Sequence, residues 1–169
     1  MSIKEKLTIQ DARICYKNFR GQATDYNAEG KRNFSVVFDD DQAEMLSKDG
    51  WPIRTRPPRE GHEDEGNFNT MKVNIAAYKG DAERDPKIYR ICNNKKVLLT
   101  AKTVGCLDFD TIVKIDLRVR PYNWERANRS GTSAYLDAMY VTVEDDELAA
   151  LYENVGDDFT DPEELPFDA

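Results

Sequence analysis

Apolar residues recur at every second position in one segment after another, and no long helical periodicity separates them. From Thr111 to Arg120, Ile115, Leu117 and Val119 alternate with Lys114, Asp116, Arg118 and Arg120. From Phe68 to Lys79, Met71, Val73, Ile75 and Ala77 alternate with Lys72, Asn74, Ala76 and Tyr78. A period of two is that of a half-buried strand. Further strands read at Ile9–Tyr16, Asn33–Phe38 and Thr132–Glu144, with Trp51–Arg56 another candidate before the Pro57–Pro58 break. Lys87–Cys92 and Lys95–Ala101 form a hairpin across Asn93–Asn94. Phe34, Phe38 and Tyr140 are assigned to the core. One short helix reads over Asp40–Lys48, with acids at its start, Met45 and Leu46 on its apolar side and Gly50 as its stop. Arg59–Asn67 and Pro121–Gly131 read as loops. With roughly seven strands and no strand–helix–strand rhythm, the expected architecture is mainly β, a small elaborated Greek-key barrel or sandwich.

Charge divides the chain into two parts. Its 169 residues carry 24 Lys and Arg against 32 Asp and Glu, a formal charge of −8. Ten of those acids lie between Asp145 and Ala169, where there is no Lys or Arg. The preceding 144 residues therefore carry a net charge of +2. Overall acidity would argue against a nucleic-acid partner, but here it belongs to the tail and not to the body. Asp145–Val155 places Leu148, Leu151, Tyr152 and Val155 at helical spacing and reads as a short helix packed on the body. The body is accordingly taken as residues 1–155. Residues 156–169 have six acids, two prolines and no periodicity, so the expectation is a disordered tail. Its apolar cluster, Leu165, Pro166 and Phe167, is the candidate partner-binding motif.

Several chemistries find no support. The longest apolar runs fall short of a membrane span, and the start MSIKEKLTIQ has no signal-peptide pattern. Cys15, Cys92 and Cys106 are odd in number and widely spaced, which suits a reduced cytoplasmic protein better than a disulfide scaffold or a metal knuckle. His62 is the one histidine and sits in a charged loop. No phosphate loop, nucleophile elbow or zinc-protease motif occurs. Asp39–Asp41 read as a helix start, and Asp108 and Asp110 as a turn. No catalytic residue, metal or cofactor is expected.

What recurs instead is positive charge beside aromatic rings. Single-stranded nucleic acid calls for both, cations along the phosphates and flat rings beneath the bases. The candidate DNA-binding residues are Trp51, Arg54, Arg56, Tyr78, Arg118, Arg120, Tyr122 and Trp124. Alternation sets Arg118 and Arg120 opposite the Ile115/Leu117/Val119 face. It puts Arg54 and Arg56 together, and Tyr78 with Lys72 and Asn74. Trp124 can also be read as a buried anchor. The acidic tail can compete with DNA for the cationic groove and be released when DNA fills it.

KNFRG (Lys17–Gly21), YNAEGKRNFSVVFDD (Tyr26–Asp40), DGWPIRTRPP (Asp49–Pro58), VGCLD (Val104–Asp108), RPYNWE (Arg120–Glu125) and SGTSAYLDAMYV (Ser130–Val141), in this order, resemble a family of phage and prophage single-stranded DNA-binding proteins. The resemblance implies an OB-like fold and non-catalytic binding of single-stranded DNA during phage replication or recombination. The tail is similar to the acidic, Phe-ending tips of bacterial single-stranded DNA-binding proteins, which implies recruitment of replication and recombination proteins. It departs from them in having Asp168 and Ala169 after Phe167. Two other functions fit less of the sequence: a phage adaptor holding a host protein, and a metal-dependent nuclease subunit using Asp108 or Asp110. A homo-oligomer is compatible with the sequence, which leaves DNA against RNA preference and site size open.

Overall fold

The computed structural model describes residues 5–25, 27–81 and 83–151. In chain order come β1 (Leu7–Ile9), β2 (Arg13–Asn18), β3 (Arg32–Phe38), α1 (Asp40–Lys48), β4 (Ile53–Arg56), β5 (Phe68–Ile75), β6 (Lys87–Cys92), β7 (Lys95–Leu98), β8 (Ile112–Arg126), β9 (Arg129–Val143) and α2 (Glu147–Leu151). Two 3₁₀ turns, Glu63–Glu65 and Val104–Asp108, complete the set. No described helix is long and apolar enough to cross a membrane.

The sheet order is β1-β8-β9-β5-β3-β2, with β4 added to β5 and the β6–β7 hairpin added to β9. β1 and β2 occupy opposite ends of that order yet are separated by only residues 10–12. A three-residue connection reaches little more than about 10 Å, so the sheet has to curl until its ends meet. Asp11 makes the bend with φ of 51°. Its N–H donates to Asp116 Oδ1 at 2.8 Å, and the Ala12 N–H to the Ile115 carbonyl at 2.8 Å. The ladder itself stays open between β1 and β2. The result is the expected OB-like barrel, mainly β with two short helices.

Alternation explains the core. Phe34, Val36 and Phe38 of β3, Met71, Val73 and Ile75 of β5, and Ile115, Leu117 and Val119 of β8 all face inward and are buried. Val104 and Leu107 of the second 3₁₀ turn join the same core, fully buried. Tyr140 is a correction: it is 40% exposed, because Met139 and Val141 on either side take the inner face of β9. In α1, Asp39 caps the helix by accepting the Gln42 N–H at 2.7 Å, while Gln42 Oε1 accepts the Asp39 N–H at 3.2 Å. Ala43 and Leu46, three residues apart, form its buried side; Met45 points to solvent, contrary to expectation. The Asn93–Asn94 turn is as read, both residues having positive φ.

Two larger corrections concern the C-terminal half. The segment expected to loop, 121–131, instead continues both neighbouring strands, so that β8 and β9 pair from Ile112↔Val143 out to Arg126↔Arg129. Pro121 and Gly131 read as breakers. Pro121 is tolerated because the pairing of β1 with β8 ends at Val119, beyond which the outer edge of β8 has no partner strand among the described residues. The helix expected to pack on the body, α2, keeps Leu148 and Leu151 exposed. The segment before it is tethered polarly, through Asp145 and Asp146 to Asn93. Tyr152, Val155 and the tail, including Leu165, Pro166 and Phe167, lie outside the described residues.

Candidate nucleic-acid interface

Register determines which side chains share the outer surface of the sheet. On the distal half of the β8–β9 hairpin, Arg120, Tyr122, Trp124 and Arg126 stand opposite Tyr135, Ser133, Gly131 and Arg129 respectively. Directly paired residues lie on one face of a sheet. The outer face of this arm therefore holds three aromatic rings, three arginines and no acid. Its reverse face carries Asn123, Glu125, Ser130 and Thr132, with the Thr132 hydroxyl donating to Asn123 Oδ1 at 2.8 Å.

The arm joins the barrel through β5, where Val73 pairs with Ala134 and Asn74 with Tyr135. Val73 and Ala134 are both buried, so Asn74 and Tyr135 begin the outward set. Asn74 Nδ2 donates to the Ala134 carbonyl at 3.2 Å and fixes the base of the arm. Along β5 the outward set continues with Lys72, Thr70 and Phe68, and β4 adds Arg54 opposite Thr70 and Arg56 opposite Phe68. Tyr16 of β2 meets Phe68 edge-on at 6.4 Å. Burial pushes the Cys15 thiol pKa up, and the Arg56 guanidinium opposes it. A cleft of about 310 Å³ separates Gly50, just before β4, from the arm, and is lined chiefly by the reverse-face residues Asn123, Glu125, Ser130 and Thr132, with Trp124 and Gly131 at its side.

The expected residues divide accordingly. Arg54, Arg56, Arg120, Tyr122 and Trp124 fall on one outward surface. Tyr122 is 57% exposed and meets Tyr135 edge-on at 5.8 Å. Trp124 is half-buried over Gly131: a Cβ there would come within 2.6 Å of Trp124 Cζ2. Trp51 is a correction. It is 5% exposed, inside the core, and has no ring face to offer a base. Tyr78 is also displaced from its expected place, because β5 ends at Ile75. Its ring packs against the core beneath the Arg32 guanidinium, 5.6 Å from the ring centre. The Tyr78 hydroxyl finds no hydrogen-bond partner among the described residues, and desolvation raises its pKa. Arg118 is outward but engaged, its Nε 2.6 Å from Asp137 Oδ2, with Lys6 on the same carboxylate at 3.3 Å. By contrast no ion pair among the described residues holds Arg54, Arg56, Lys72, Arg120, Arg126 or Arg129.

Sequence reasoning missed Tyr16, Phe68, Lys72, Arg126, Arg129 and Tyr135. Tyr135 lay within a segment read as a strand, whereas Arg126 and Arg129 belong to the segment read as a loop, where no apolar stripe marks the strands. The carboxylates set aside as structural have local duties. Asp108 accepts the N–H groups of Phe19 at 2.8 Å and Arg20 at 3.0 Å, and Asp110 grips Arg90 at 2.8 Å and 3.1 Å. Among the described residues no three His, Cys, Asp or Glu side chains converge as metal ligands.

A curled β-sheet whose outer face and projecting arm combine unpaired cations with aromatic rings defines a single-stranded nucleic-acid-binding protein of the OB type. The chain belongs to the phage ssDNA-binding domain family, whose sequence model spans residues 1–163. It is thus a phage-type protein that binds single-stranded DNA. Among solved structures, the single-stranded DNA-binding protein from bacteriophage Enc34 is similar, with a TM-score of 0.50 and 8% identity, covering 94% of this chain and 88% of that one. The same phage protein in complex with ssDNA gives a TM-score of 0.49 at 11% identity, covering 83% and 88%. The first likeness supports the fold, and no residue role is transferred at such identities. No curated protein matches the chain in sequence.

Proposed function

We propose that single-stranded DNA lies along the outer surface running from β4 and β5 onto the β8–β9 arm. Arg54, Arg56, Lys72, Arg120, Arg126 and Arg129 meet phosphates, and Tyr122, Trp124 and Tyr135 stack on bases. Stacking and phosphate contact carry little sequence information, so binding is largely sequence-independent. The protein covers and protects the strand, without catalysis, during phage replication and recombination in the host cytoplasm. The acidic tail, residues 156–169, serves protein partners through Leu165, Pro166 and Phe167. The observation that carries the DNA-binding face is the acid-free outer side of the arm, with three rings and three arginines in register.

The test is a salt titration of binding to fluorescent oligo(dT) and to duplex of equal length. A salt-sensitive preference for the single strand, reduced by Arg120→Ala and Tyr122→Ala, is the expected result. Absence of binding at low salt would remove the proposal and favour the adaptor.

A further inference from the structure

The β6–β7 hairpin, the 3₁₀ turn Val104–Asp108 and the chain beyond β2 enclose a cleft of about 470 Å³. Its apolar surface comes from Val97, Leu99 and Phe109, and its rim from Arg20, Arg90 and Lys102. It shares no residue with the DNA-binding face described above. Val97 is 57% and Phe109 72% exposed, an arrangement that leaves apolar area in water unless something covers it. The Arg20 guanidinium lies over the Phe109 ring at 4.6 Å. Asp108 and Asp110 neutralise Arg20 and Arg90, while Lys102 has no ion pair among the described residues. Lys17, reaching the carbonyls of Leu107 at 2.8 Å and Asp110 at 3.3 Å, leaves the neighbourhood with four cations against two carboxylates. An apolar floor with a cationic rim suits an acidic peptide that carries a large apolar anchor.

The chain supplies such a peptide close by. After β9 it is fastened to the tip of the hairpin that forms the cleft: the Asn93 N–H donates to Asp145 Oδ1 at 2.9 Å, and the Asp146 N–H to Asn93 Oδ1 at 3.1 Å. From Asn93 to Leu99 along the hairpin is roughly 20 Å at strand rise. Leu165 lies fourteen residues beyond Leu151, a length of chain that can extend to about 45–50 Å. Glu163 and Glu164 directly precede Leu165, Pro166 and Phe167. We propose that this cleft receives the Leu165–Pro166–Phe167 tip of the same chain, with Phe167 against Phe109 and the two glutamates against the cationic rim. Tethering gives the tip a millimolar-range effective concentration, so a weak contact suffices. Docking there keeps the acids off the DNA-binding face, and a partner gains the tip by competing with the cleft instead of waiting for DNA to displace it.

The experiment places the photo-crosslinker p-benzoyl-phenylalanine at position 167 of the full-length chain. Light and ¹⁵N-labelled protein are mixed in equal amounts, irradiated and mapped by mass spectrometry. The expected result is same-isotope crosslinks to residues 97–109, unchanged by saturating oligo(dT) and reduced roughly tenfold or more by Phe109→Ser, as loss of a buried aromatic contact implies. Phe109 is on the surface and outside the DNA-binding face, so Phe109→Ser retains oligo(dT) binding, which verifies its fold. Three results would overturn the proposal: crosslinks to β4 or to residues 120–135, where the tail would be shielding the DNA-binding face; mixed-isotope crosslinks, where the occupant is a second copy; or no crosslink.

Discussion

The two tryptophans lie in opposite surroundings, which show why one residue type cannot be assigned from sequence alone. Trp51 follows the end of α1, where its N–H closes the helix on the Leu46 carbonyl at 3.0 Å and its ring is enclosed by the core. Trp124 lies on the outward side of a projecting arm. Oligo(dT) should therefore quench the emission of Trp124 alone. Trp124→Phe is expected to abolish the quenching, and Trp124→Ala to weaken binding by about 1–3 kcal/mol, roughly 5- to 150-fold. Trp51→Phe should lower thermal stability yet keep both the quenching and the affinity. Quenching that survived in Trp124→Phe would move the stacking platform elsewhere. Asp137 provides a test of a different kind. Burial alone would raise its pKa, but hydrogen bonds from Arg118 and Lys6 outweigh burial and hold the carboxyl below its ordinary value. A depressed pKa contributes stability that is present above the unfolded value of about 3.9 and is lost as pH falls through the folded one. Asp137→Asn should thus lower Tm at pH 7, and the difference from the parent should narrow in melts at pH 3. A difference that stayed constant over that range would mean that Asp137 acts by packing alone.

At the level of elements, strands with one buried face were legible because burial enforces the period of two. β3, β5 and the inner half of β8 are of this kind, and α1 was legible through its cap and its length. The outer half of the β8–β9 hairpin was not, for a physical reason: both faces are in contact with solvent, so no apolar stripe distinguishes it from a loop, and Pro121 and Gly131 imitate breakers. Gly131 has a packing role instead. Because an added Cβ would lie 2.6 Å from Trp124 Cζ2, Gly131→Ala should displace the indole and reduce oligo(dT) affinity to nearly the level of Trp124→Ala. The two changes act on one ring, so the double variant should be little weaker than either single one. Additive losses in that cycle would show that Gly131 matters for the arm's backbone and not for its tryptophan.

At the level of the whole molecule, the sequence disclosed that the body is basic and the tail acidic, but not which cations gather on one surface. That depends on pairings between distant strands: β5 lies beside β9 only at Val73–Asn74, and this short contact aligns Lys72 with the arm. Local pattern carries no record of it. Nor could pattern tell an engaged cation from a free one; Arg118 and Arg120 are two residues apart on one strand, yet Asp137 neutralises only the first. The distinction has a measurable consequence, because each phosphate neutralised on a single strand contributes about −0.7 to the slope of log affinity against log salt. Arg126→Ala combined with Arg129→Ala should reduce the steepness of the oligo(dT) salt slope by about 1.4 if both arginines meet phosphates. Arg118→Ala should change it less, since the strand would first have to draw that guanidinium from Asp137. An unchanged slope in the arm variant, with affinity lost uniformly at every salt concentration, would mean that the arm contributes rings alone and that the phosphates lie on the cations of β4 and β5.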